Sequence, residues 1–472
     1  MLRPWKISVT IDPALRKSVY LQIADSIIAD IRSGRLKPGD ALPGSRTLAQ
    51  DLRLNRNTVV EALNVLLNEE WLVSNERKGT FVADTLPLRE RKTKADIEVA
   101  PPGALLHPIR ISIDDGHPDA RIAPIDQLAR AYRQIFKQKA RWQMMGYGDA
   151  MGTPGFRKAI VDMLNQQRGM HTNDQLVCIT RGSQMAMYLA AHALISPGDY
   201  VMVEHPGYKP AWKAFEKAGA KLLAVRLDEE GLLIDEVITH LNSGKKISAI
   251  YTTPHHQYPT TVTLSLQRRM QLIQLSNQYG FTIIEDDYDN EFHFGYRPVL
   301  PLSSFAELKN YVYIGTMSKV VAASLRIGYL AGNDKKLIEK AVSLRQLIDV
   351  QSDAIMEQAI LQLIEDGTIR RHLKKATAYY RAKRDLTEAL LTKHLHHKIK
   401  FRSPDGGLAF WIEPLAKVNW EDIAAKLQKK GISIITPANY SLTKPVNGFR
   451  FGYGSLTDRQ LEEGIKTLAT LL

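Results

Sequence analysis

Four short, mostly apolar runs separated by helical stretches constrain the fold of the larger part of the chain. The runs cover residues 200–203, 247–251, 282–284 and 312–314, and residues 267–279 are typical of the helices between them. None of the four runs alternates strictly between apolar and polar residues, which indicates strands that are covered on both faces. Strands of this kind joined by helices predict an α/β domain with a mostly parallel sheet and right-handed crossovers.

The N-terminal part of the chain carries a different pattern. Isoleucines at helical spacing precede Gly34, and Ser45 and Asn55 are each placed to cap a further helix. Two short runs, 71–73 and 79–82, predict strands that are joined by a turn. Three helices followed by a hairpin predict a winged helix-turn-helix.

The two patterns divide the chain into a winged helix over residues 1–84, a linker over 85–112 and an α/β domain over 113–472. Within the last part, residues 370–472 have a helix-and-strand character of their own and predict a small C-terminal α+β subdomain. Four basic residues cluster in the linker: Arg89, Arg91, Lys92 and Lys94. They form either a solvated tether or a set of phosphate contacts beside the winged helix.

Composition narrows the classes of function. The chain has 472 residues and a formal net charge of +13, a basic balance that favours polyanions without being specific for nucleic acid. The single cysteine, Cys178, excludes an intramolecular disulfide and a multi-cysteine metal site, and we expect no metal. We find no signal peptide and no apolar run long enough to span a bilayer, so we expect a cytoplasmic protein.

The start of the third predicted helix has the residue types that read DNA. In a helix-turn-helix the N-terminal residues of the second helix of the motif face base edges in the major groove. Arginine pairs bidentately with guanine, asparagine pairs with adenine, and threonine contacts phosphate or the thymine methyl group. The candidate residues there, in the preceding helix and at the wing tip are Arg46, Arg56, Asn57, Thr58, Arg77 and Lys78. Each basic residue taken alone is also consistent with a solvated surface charge.

Residues 42–49, 55–59 and 78–82 together resemble the GntR-type winged helix. The residues that match DNA-contacting positions of that family are Arg46, Arg56, Thr58 and Gly79. Val60 departs from the pattern, because some members carry an arginine at this position. The resemblance implies double-stranded DNA as a partner, read as paired half-sites.

Lys319 and Asp286 predict a pyridoxal 5′-phosphate (PLP) site. Lys319 lies 33 residues after Asp286 and 7 residues before Arg326. PLP needs a lysine amine for a Schiff base and a carboxylate that keeps its pyridinium nitrogen protonated. Asp286 is predicted just past the carboxyl end of a strand, where open α/β sheets bind their ligands.

The phosphate group of PLP needs a cluster of hydrogen-bond donors. The candidate residues are Gly182, Ser183, Gln184, Thr316 and Arg326. The first three precede a helix predicted over residues 185–194, whose free backbone N–H groups and the Ser183 hydroxyl would bind a phosphate. Tyr288 can donate to the phenolate oxygen of the cofactor. Tyr208 either stacks on the pyridine ring or is an ordinary half-buried tyrosine.

Across almost the whole chain the sequence resembles the MocR/GabR type of transcriptional regulator, a GntR-type winged helix joined to a fold-type I aminotransferase-like domain. The matching segments are 147–149, 168–169, 182–184, 253–260, 285–289, 318–319, 325–329 and 450–452. The resemblance implies that Lys319 forms the Schiff base, Asp286 contacts the pyridine nitrogen and Tyr288 contacts the phenolate. It also implies that Arg450 clamps the carboxylate of an effector, a role that suits the planar arginine fork.

Four positions depart from the family pattern. Thr261 stands where the family usually has glycine, and Val320 and Ala323 replace a threonine and a proline after the lysine. Pro210 lies near a position where some members carry a second effector-binding arginine. These differences leave the expected PLP binding unchanged and bear on the identity of the effector.

Three functions follow from these features. The first is a PLP-dependent, DNA-binding transcriptional regulator that senses an amino compound through external aldimine formation, with little or no turnover. The alternatives are a regulator of vitamin B6 synthesis that senses PLP itself, and an active PLP-dependent aminotransferase with a DNA-binding appendage. The domain organisation implies a homodimer.

Overall fold

The structure divides the chain into two compact units, Met1–Ala104 and Leu105–Leu472. It is a computed structural model that describes residues 9, 11–12, 15, 17–75, 79–86, 108–137, 142, 145–295, 299–442 and 444–472. The basic cluster of the predicted linker lies outside the described residues. Among the described helices, none is long and apolar enough to cross a bilayer.

The first unit is a three-helix bundle with an antiparallel hairpin. Its elements are α1 Val19–Arg32, α2 Ser45–Leu52, α3 Arg56–Asn68, β1 Leu72–Asn75 and β2 Gly79–Val82. Each helix contributes fully buried residues to one core, among them Ile27, Leu48 and Val59. The predicted winged helix-turn-helix is confirmed.

The two predicted helix caps differ in outcome. Asn55 caps α3 as predicted, since its side-chain oxygen accepts a hydrogen bond from the backbone N–H of Asn57 at 2.8 Å. The prediction that Ser45 caps α2 was wrong. Gly44 is the N-cap residue and makes no side-chain cap, whereas Ser45 already lies inside the first turn. A cap needs an extended backbone ahead of the helix, and that conformation belongs to Gly44.

The second unit is built around an eight-stranded sheet. Its strands are β4 Val177–Thr180, β5 Tyr200–His205, β6 Lys221–Asp228, β7 Gly231–Leu232, β8 Ile247–Thr252, β9 Thr282–Asp287, β10 Tyr311–Thr316 and β11 Gly328–Gly332, while β3 Ile111–Ile113 lies outside this sheet. The strand order is β4-β11-β10-β9-β8-β5-β6-β7. The four predicted strands form its parallel centre as β10, β9, β8 and β5. Only the pairings of β11 and β7 are antiparallel in this sheet.

Helices cover both faces of the sheet, as the absence of alternation in the strands predicts. They are α4 Ile125–Lys137, α5 Pro154–Arg168, α6 Gly182–Leu194, α7 Lys209–Lys217, α8 Ile234–Leu241, α9 Leu266–Tyr279, α10 Lys335–Asp349 and α11 Ala354–Glu365. Adjacent strand residues enter different cores: Ile283 packs in one and Ile284 in the other. Apolar side chains are therefore needed at consecutive positions of β9.

The C-terminal part forms a smaller layer. It contains α12 Thr368–Leu395, β12 Ile399–Phe401, β13 Ala409–Pro414, α13 Trp420–Lys429, β14 Ile432–Ile434, β15 Phe449–Gly452 and α14 Asp458–Ala469. Strands β12, β13 and β15 form an antiparallel sheet, and β14 pairs in parallel with β3. Residues 111 and 112, which the sequence assigned to the linker, thus belong to β3. The segment that follows β3 is thereby held beside β15, because the Gly452 N–H donates to the Asp114 carbonyl at 2.9 Å.

Candidate cofactor and effector site

Lys319 lies in the loop after β10, at the carboxyl edge of the parallel strands. Its Nζ donates to the backbone carbonyl of Gly116 at 2.9 Å and lies 4.7 Å from the centre of the Tyr288 ring. Desolvation lowers the pKa of Lys319, although the nearby charges of Asp289 and Asp115 oppose this shift. A lowered pKa makes the neutral, nucleophilic amine more accessible at physiological pH.

Asp286 presents a buried carboxylate oxygen without a partner. The residue is 4% exposed and its Oδ2 accepts a hydrogen bond from the Tyr251 hydroxyl at 2.7 Å. Oδ1 is buried and has no hydrogen-bond partner among the described residues. Burial raises the pKa of Asp286 to about 7. A donor such as a pyridinium N–H would satisfy this oxygen and favour its charged form.

Asp286 was predicted just past a strand, but it is the penultimate residue of β9. The apolar run ends at Ile284, and the strand continues through three acidic residues. Hydrogen bonds allow this continuation: Glu285 accepts from the backbone of Leu302 and Ser303, both at 2.9 Å. The acidic residues are therefore fixed by the sheet, and Asp286 has a defined direction.

The first turn of α6 and Arg326 form a cradle for an anion. The guanidinium packs so closely on Gly182 that a Cβ there would lie 2.4 Å from Nη2. Gly182 has φ +75°, and a Cβ on Gly328 would lie 2.5 Å from the Gly182 carbonyl carbon. Glycine at both positions lets a cation lie across the N-terminal turn of a helix, where backbone N–H groups also favour negative charge.

The predicted helix start was late by three residues, since α6 begins at Gly182 and not at 185. Ser183 and Gln184 therefore lie inside the first turn, and the Gln184 side chain contacts the Pro210 carbonyl at 3.5 Å. The Thr316 hydroxyl donates to the Ile327 carbonyl at 3.1 Å and accepts from the Ser318 N–H at 3.1 Å. Thr316 thus shapes the loop that carries Lys319.

Ser318 is a candidate that the sequence reasoning missed. Its hydroxyl is buried and has no hydrogen-bond partner among the described residues. An unsatisfied buried hydroxyl in the loop that carries Lys319 is suited to a phosphate oxygen. Its position directly before Lys319 was the available signal, but serine alone is too common to be singled out.

Four tyrosines surround the space between the two subdomains. Tyr258 is at their centre, with its ring centre 5.0 Å from that of Tyr208, 6.3 Å from that of Tyr288 and 6.4 Å from that of Tyr440. Tyr288 donates to the carbonyl of His256 at 2.8 Å. Stacking of Tyr208 on the pyridine ring and donation by Tyr288 to the phenolate remain predictions. Tyr258 and Tyr440 were not among the predicted site residues.

Arg450 is a buried cation whose hydrogen bonds all end on uncharged oxygen atoms. It lies in β15 and is 1% exposed. Nε donates to the Asp115 carbonyl at 2.7 Å, Nη1 to the Pro259 carbonyl at 3.0 Å and Nη2 to the Tyr288 hydroxyl at 3.2 Å. The guanidinium also lies 5.1 Å from the centre of the Tyr258 ring. A ligand carboxylate would supply the negative charge that these neutral groups do not.

In the first unit, the predicted DNA-reading residues lie on the surface. Arg46 in α2 is exposed, and so are Arg56 and Asn57 in the first turn of α3, while Thr58 is half-buried. Gly79 begins β2 with φ +112°, a conformation that favours glycine. Arg77 and Lys78 lie outside the described residues. DNA contact by each of these residues remains a prediction.

Comparison with known proteins gives both parts of the chain a family. Residues 115–468 match the family described as Aminotransferase class I and II. The chain belongs to this family. Residues 19–82 match the family described as Bacterial regulatory proteins, gntR family. The protein therefore joins a gntR-family DNA-binding domain to an aminotransferase-like PLP domain.

Relatives share this arrangement along their length. Over 95% of its length the chain is 26% identical to "Probable rhizopine catabolism regulatory protein MocR" of Rhizobium meliloti, covering 93% of that protein. It is 25% identical over 95% of its length to "HTH-type pyridoxine biosynthesis transcriptional regulator PdxR" of Corynebacterium glutamicum, covering 95% of that protein. Among solved structures, an archaeal alanine:glyoxylate aminotransferase is 27% identical, with a TM-score of 0.72 over 76% of this chain and 90% of that chain.

The residues of this class I and II aminotransferase domain fit PLP. Asp286 Oδ1 and the Ser318 hydroxyl are buried polar atoms that have no hydrogen-bond partner in the described part of the chain, and Arg326 with the first turn of α6 offers an anion cradle. Bound PLP would supply an electrophilic carbonyl carbon, and Lys319 is the amine that would react with it. The chemistry required of the chain itself is binding, orientation and control of protons.

A network of ion pairs fixes the segment of chain at the end of β9, which carries Tyr288. Arg168 contacts Glu291 at 2.8 Å and lies 3.5 Å from Asp287, of which Asp287 is buried and the Glu291 side chain is 9% exposed. Nearby, His256 and Asp289 are 2.8 Å apart. These pairs fix the chain that follows β9 and so hold Tyr288 in place.

Proposed function

We propose that this DNA-binding regulator senses an amino compound that also carries an acid group. The observation that carries the proposal is Arg450: it is a buried cation whose side-chain hydrogen bonds to described residues end on uncharged oxygen atoms, and it lies beside the ring of Tyr288 that also faces Lys319. One ligand can thus present an amine to the cofactor at Lys319 and a carboxylate to Arg450. We propose that the protein acts in the cytoplasm, where it binds chromosomal DNA.

The signal is an exchange of amines at the cofactor. With PLP bound at Lys319, an effector amine would displace the Lys319 amine from the cofactor and so release Lys319 as a free amine. Arg450 takes the effector carboxylate and redistributes its hydrogen bonds to Asp115, Pro259 and Tyr288. The two states then differ in contacts, which is what a ligand-driven shift of population requires.

We propose that the regulator acts as a homodimer on paired half-sites. Large apolar side chains are exposed in two segments of the second unit: Trp142, Met145, Tyr147, Leu347, Ile348 and Val350. The two segments adjoin, because the Gly148 N–H donates to the Gln351 side chain. An exposed apolar surface of this kind is typical of an interface, and a second copy of the chain is the partner that suits paired half-sites.

A relative favours a second candidate, in which PLP itself is the signal. The PdxR protein of Corynebacterium glutamicum is named for the regulation of pyridoxine biosynthesis. In that case PLP alone would change DNA binding, and Arg450 would not be needed for the response. The archaeal aminotransferase supports the third candidate, catalytic turnover.

Operator binding separates the three functions. The wild-type protein should be tested without PLP, with PLP, and with PLP plus a panel of amino acids and ω-amino acids. We expect DNA binding to change only when an amino compound is added, and Arg450→Ala to lose this response while keeping PLP. Arg459→Ala, an exposed arginine of α14, is the matched control.

Either of two results would favour another of the three functions over this proposal. A full response to PLP alone, unchanged in Arg450→Ala, would favour the sensor of PLP. Multiple turnovers of an amino donor and a keto acid at about 1 per second or faster would favour the enzyme.

A further inference from the structure

Residues 115 and 116 lie against both functional cations of the site. The Asp115 carbonyl accepts from Arg450 Nε at 2.7 Å, and the Gly116 carbonyl accepts from Lys319 Nζ at 2.9 Å. The Asp115 side chain is directed at the same space, since its Oδ2 lies 3.3 Å from the Tyr258 hydroxyl. The Asp115 carboxylate therefore lies beside the space between Lys319 and Arg450.

The Asp115 carboxylate is only weakly satisfied by its neighbours. Its contacts are the Tyr258 hydroxyl at 3.3 Å and His117 Nε2 at 3.4 Å, and its side chain is 24% exposed. Asp114 is different: Oδ1 accepts two backbone N–H groups, from Gly116 at 2.8 Å and His117 at 2.9 Å. Its Oδ2 accepts from the Ser455 hydroxyl at 2.8 Å. Asp114 is committed to the fold of the segment, and Asp115 is available to a ligand.

The negative charge of Asp115 affects the protonation of both cations in the site. It is one of the charges that raise the pKa of Lys319 and of Arg450 against the effect of burial. An effector in the site would place its carboxylate at Arg450 and its amine toward Lys319. The negative charge of Asp115 then faces the rest of the effector.

We propose that Asp115 determines effector specificity by selecting compounds that carry a second, basic nitrogen. This inference rests on the proposed function. An ammonium group on the effector side chain gains an opposite charge in a partly desolvated site. A second carboxylate is repelled there, and a neutral side chain leaves Asp115 as it was. The chemical class is an α-amino acid with a distal amine.

The test uses three amino acids of similar length: L-ornithine, L-norvaline and L-glutamate, whose side chains end in an ammonium, a methyl and a carboxylate. Dissociation constants are measured on the full-length protein with PLP from the cofactor absorbance and from operator binding. EDTA is present, so that a metal ion at Asp114, Asp115 and His117 makes no contribution. We expect wild type to bind ornithine ~10-fold or more tightly than norvaline, with glutamate weakest.

Asp115→Asn removes the charge and keeps the backbone carbonyl that Arg450 uses. We expect the ratio between ornithine and norvaline to fall to about 3-fold or less, and glutamate to gain affinity. Asp422→Asn, which makes the same change at a half-exposed position of α13, should leave the ratios unchanged.

Two outcomes overturn the inference. If wild type binds norvaline or glutamate as tightly as ornithine, or if Asp115→Asn keeps the wild-type ratios, Asp115 only balances the charge of Lys319 and Arg450. In both cases the amino acids still perturb the cofactor spectrum, so the proposed function stands. If no amino compound of the larger panel perturbs the spectrum or operator binding, the proposed function fails as well.

Discussion

The DNA-reading surface of the first unit and the cofactor site of the second use charged residues in opposite ways. Arg46 and Arg56 are exposed, so water solvates them until DNA replaces it. Asp286 and Arg450 are 4% and 1% exposed, and neither forms an ion pair with another described residue. An exposed charge costs the fold little, whereas a buried carboxylate such as that of Asp286 lowers stability until a ligand satisfies it. Stability and function should therefore be independent in the first unit and linked in the second.

The largest expected effect is the loss of covalent PLP attachment when Lys319 is replaced. Lys319→Ala removes the amine that would join the cofactor, so covalent attachment of PLP should be lost completely. The wild-type protein should absorb in the visible and retain PLP on Lys319 after borohydride reduction. A reducible covalent linkage that persists in Lys319→Ala would contradict the assignment. Lys336→Ala, at an exposed lysine of α10, is the control and should behave as wild type.

Asp286 tests the link between stability and function. Burial raises its pKa from 3.8 to about 7 in the folded protein. The unfolded chain ionises at about 4, so the cofactor-free protein should lose stability as pH rises from about 4 to about 7. Asp286→Asn should reduce this loss, leaving the part that Glu291 causes because burial also raises its pKa to about 7, and should increase the free energy of unfolding at pH 8 by a few kcal/mol, at ~1.4 kcal/mol per pKa unit.

Urea unfolding of the two cofactor-free proteins at pH 5 and pH 8 measures this effect. PLP should stabilise wild type far more than the variant, because only the carboxylate pairs with a pyridinium N–H. Asp422→Asn controls for a change of charge on the surface. Equal pH dependence in wild type and Asp286→Asn would show that Asp286 does not carry the penalty.

The opposite behaviour is expected of Arg56. Arg56→Ala should cost ~1–3 kcal/mol of operator binding and relax sequence preference, since a base contact is lost. Its free energy of unfolding should stay within about 0.5 kcal/mol of wild type, because the side chain is exposed. Competition between operator and scrambled DNA, beside urea unfolding, measures both quantities.

The basic cluster of the linker is the counterpart to Arg56. Alanine at Arg89, Arg91, Lys92 and Lys94 should weaken binding to all sequences alike and reduce its salt dependence. A loss of discrimination between operator and scrambled DNA in this variant, with none in Arg56→Ala, would reverse the assignment.

The smallest expected effect concerns the helix that presents Arg56. Asn55→Ala removes the cap hydrogen bond to the Asn57 N–H and should destabilise the first unit by ~1 kcal/mol. Asn57→Ala leaves the cap in place and should change operator binding more than stability. Hydrogen exchange of α3 amides distinguishes the two variants. If they have the same effect on stability, the cap is not the cause.

Local patterns in the sequence were enough to predict much of the fold. The apolar runs of β5, β8, β9 and β10 predicted the parallel centre of the sheet, because burial on both faces requires apolar residues at consecutive positions. The same reasoning failed at the ends of elements. Asp286 was placed beyond β9, whereas hydrogen bonds from Tyr251 of β8 to Asp286 and from the Leu302 backbone to Glu285 explain the acidic end of the strand.

The sequence by itself determined the two-part organisation, the winged helix and the motif around Lys319, since these depend on spacing along the chain. Only the tertiary structure decided which distant groups share the site. It brought Asp115 and Gly116 into contact with Arg450 and Lys319, more than 200 residues away, and left the Ser318 hydroxyl without a hydrogen-bond partner among the residues that the structure describes. Such contacts depend on how subdomains pack, and no local periodicity in the chain records them.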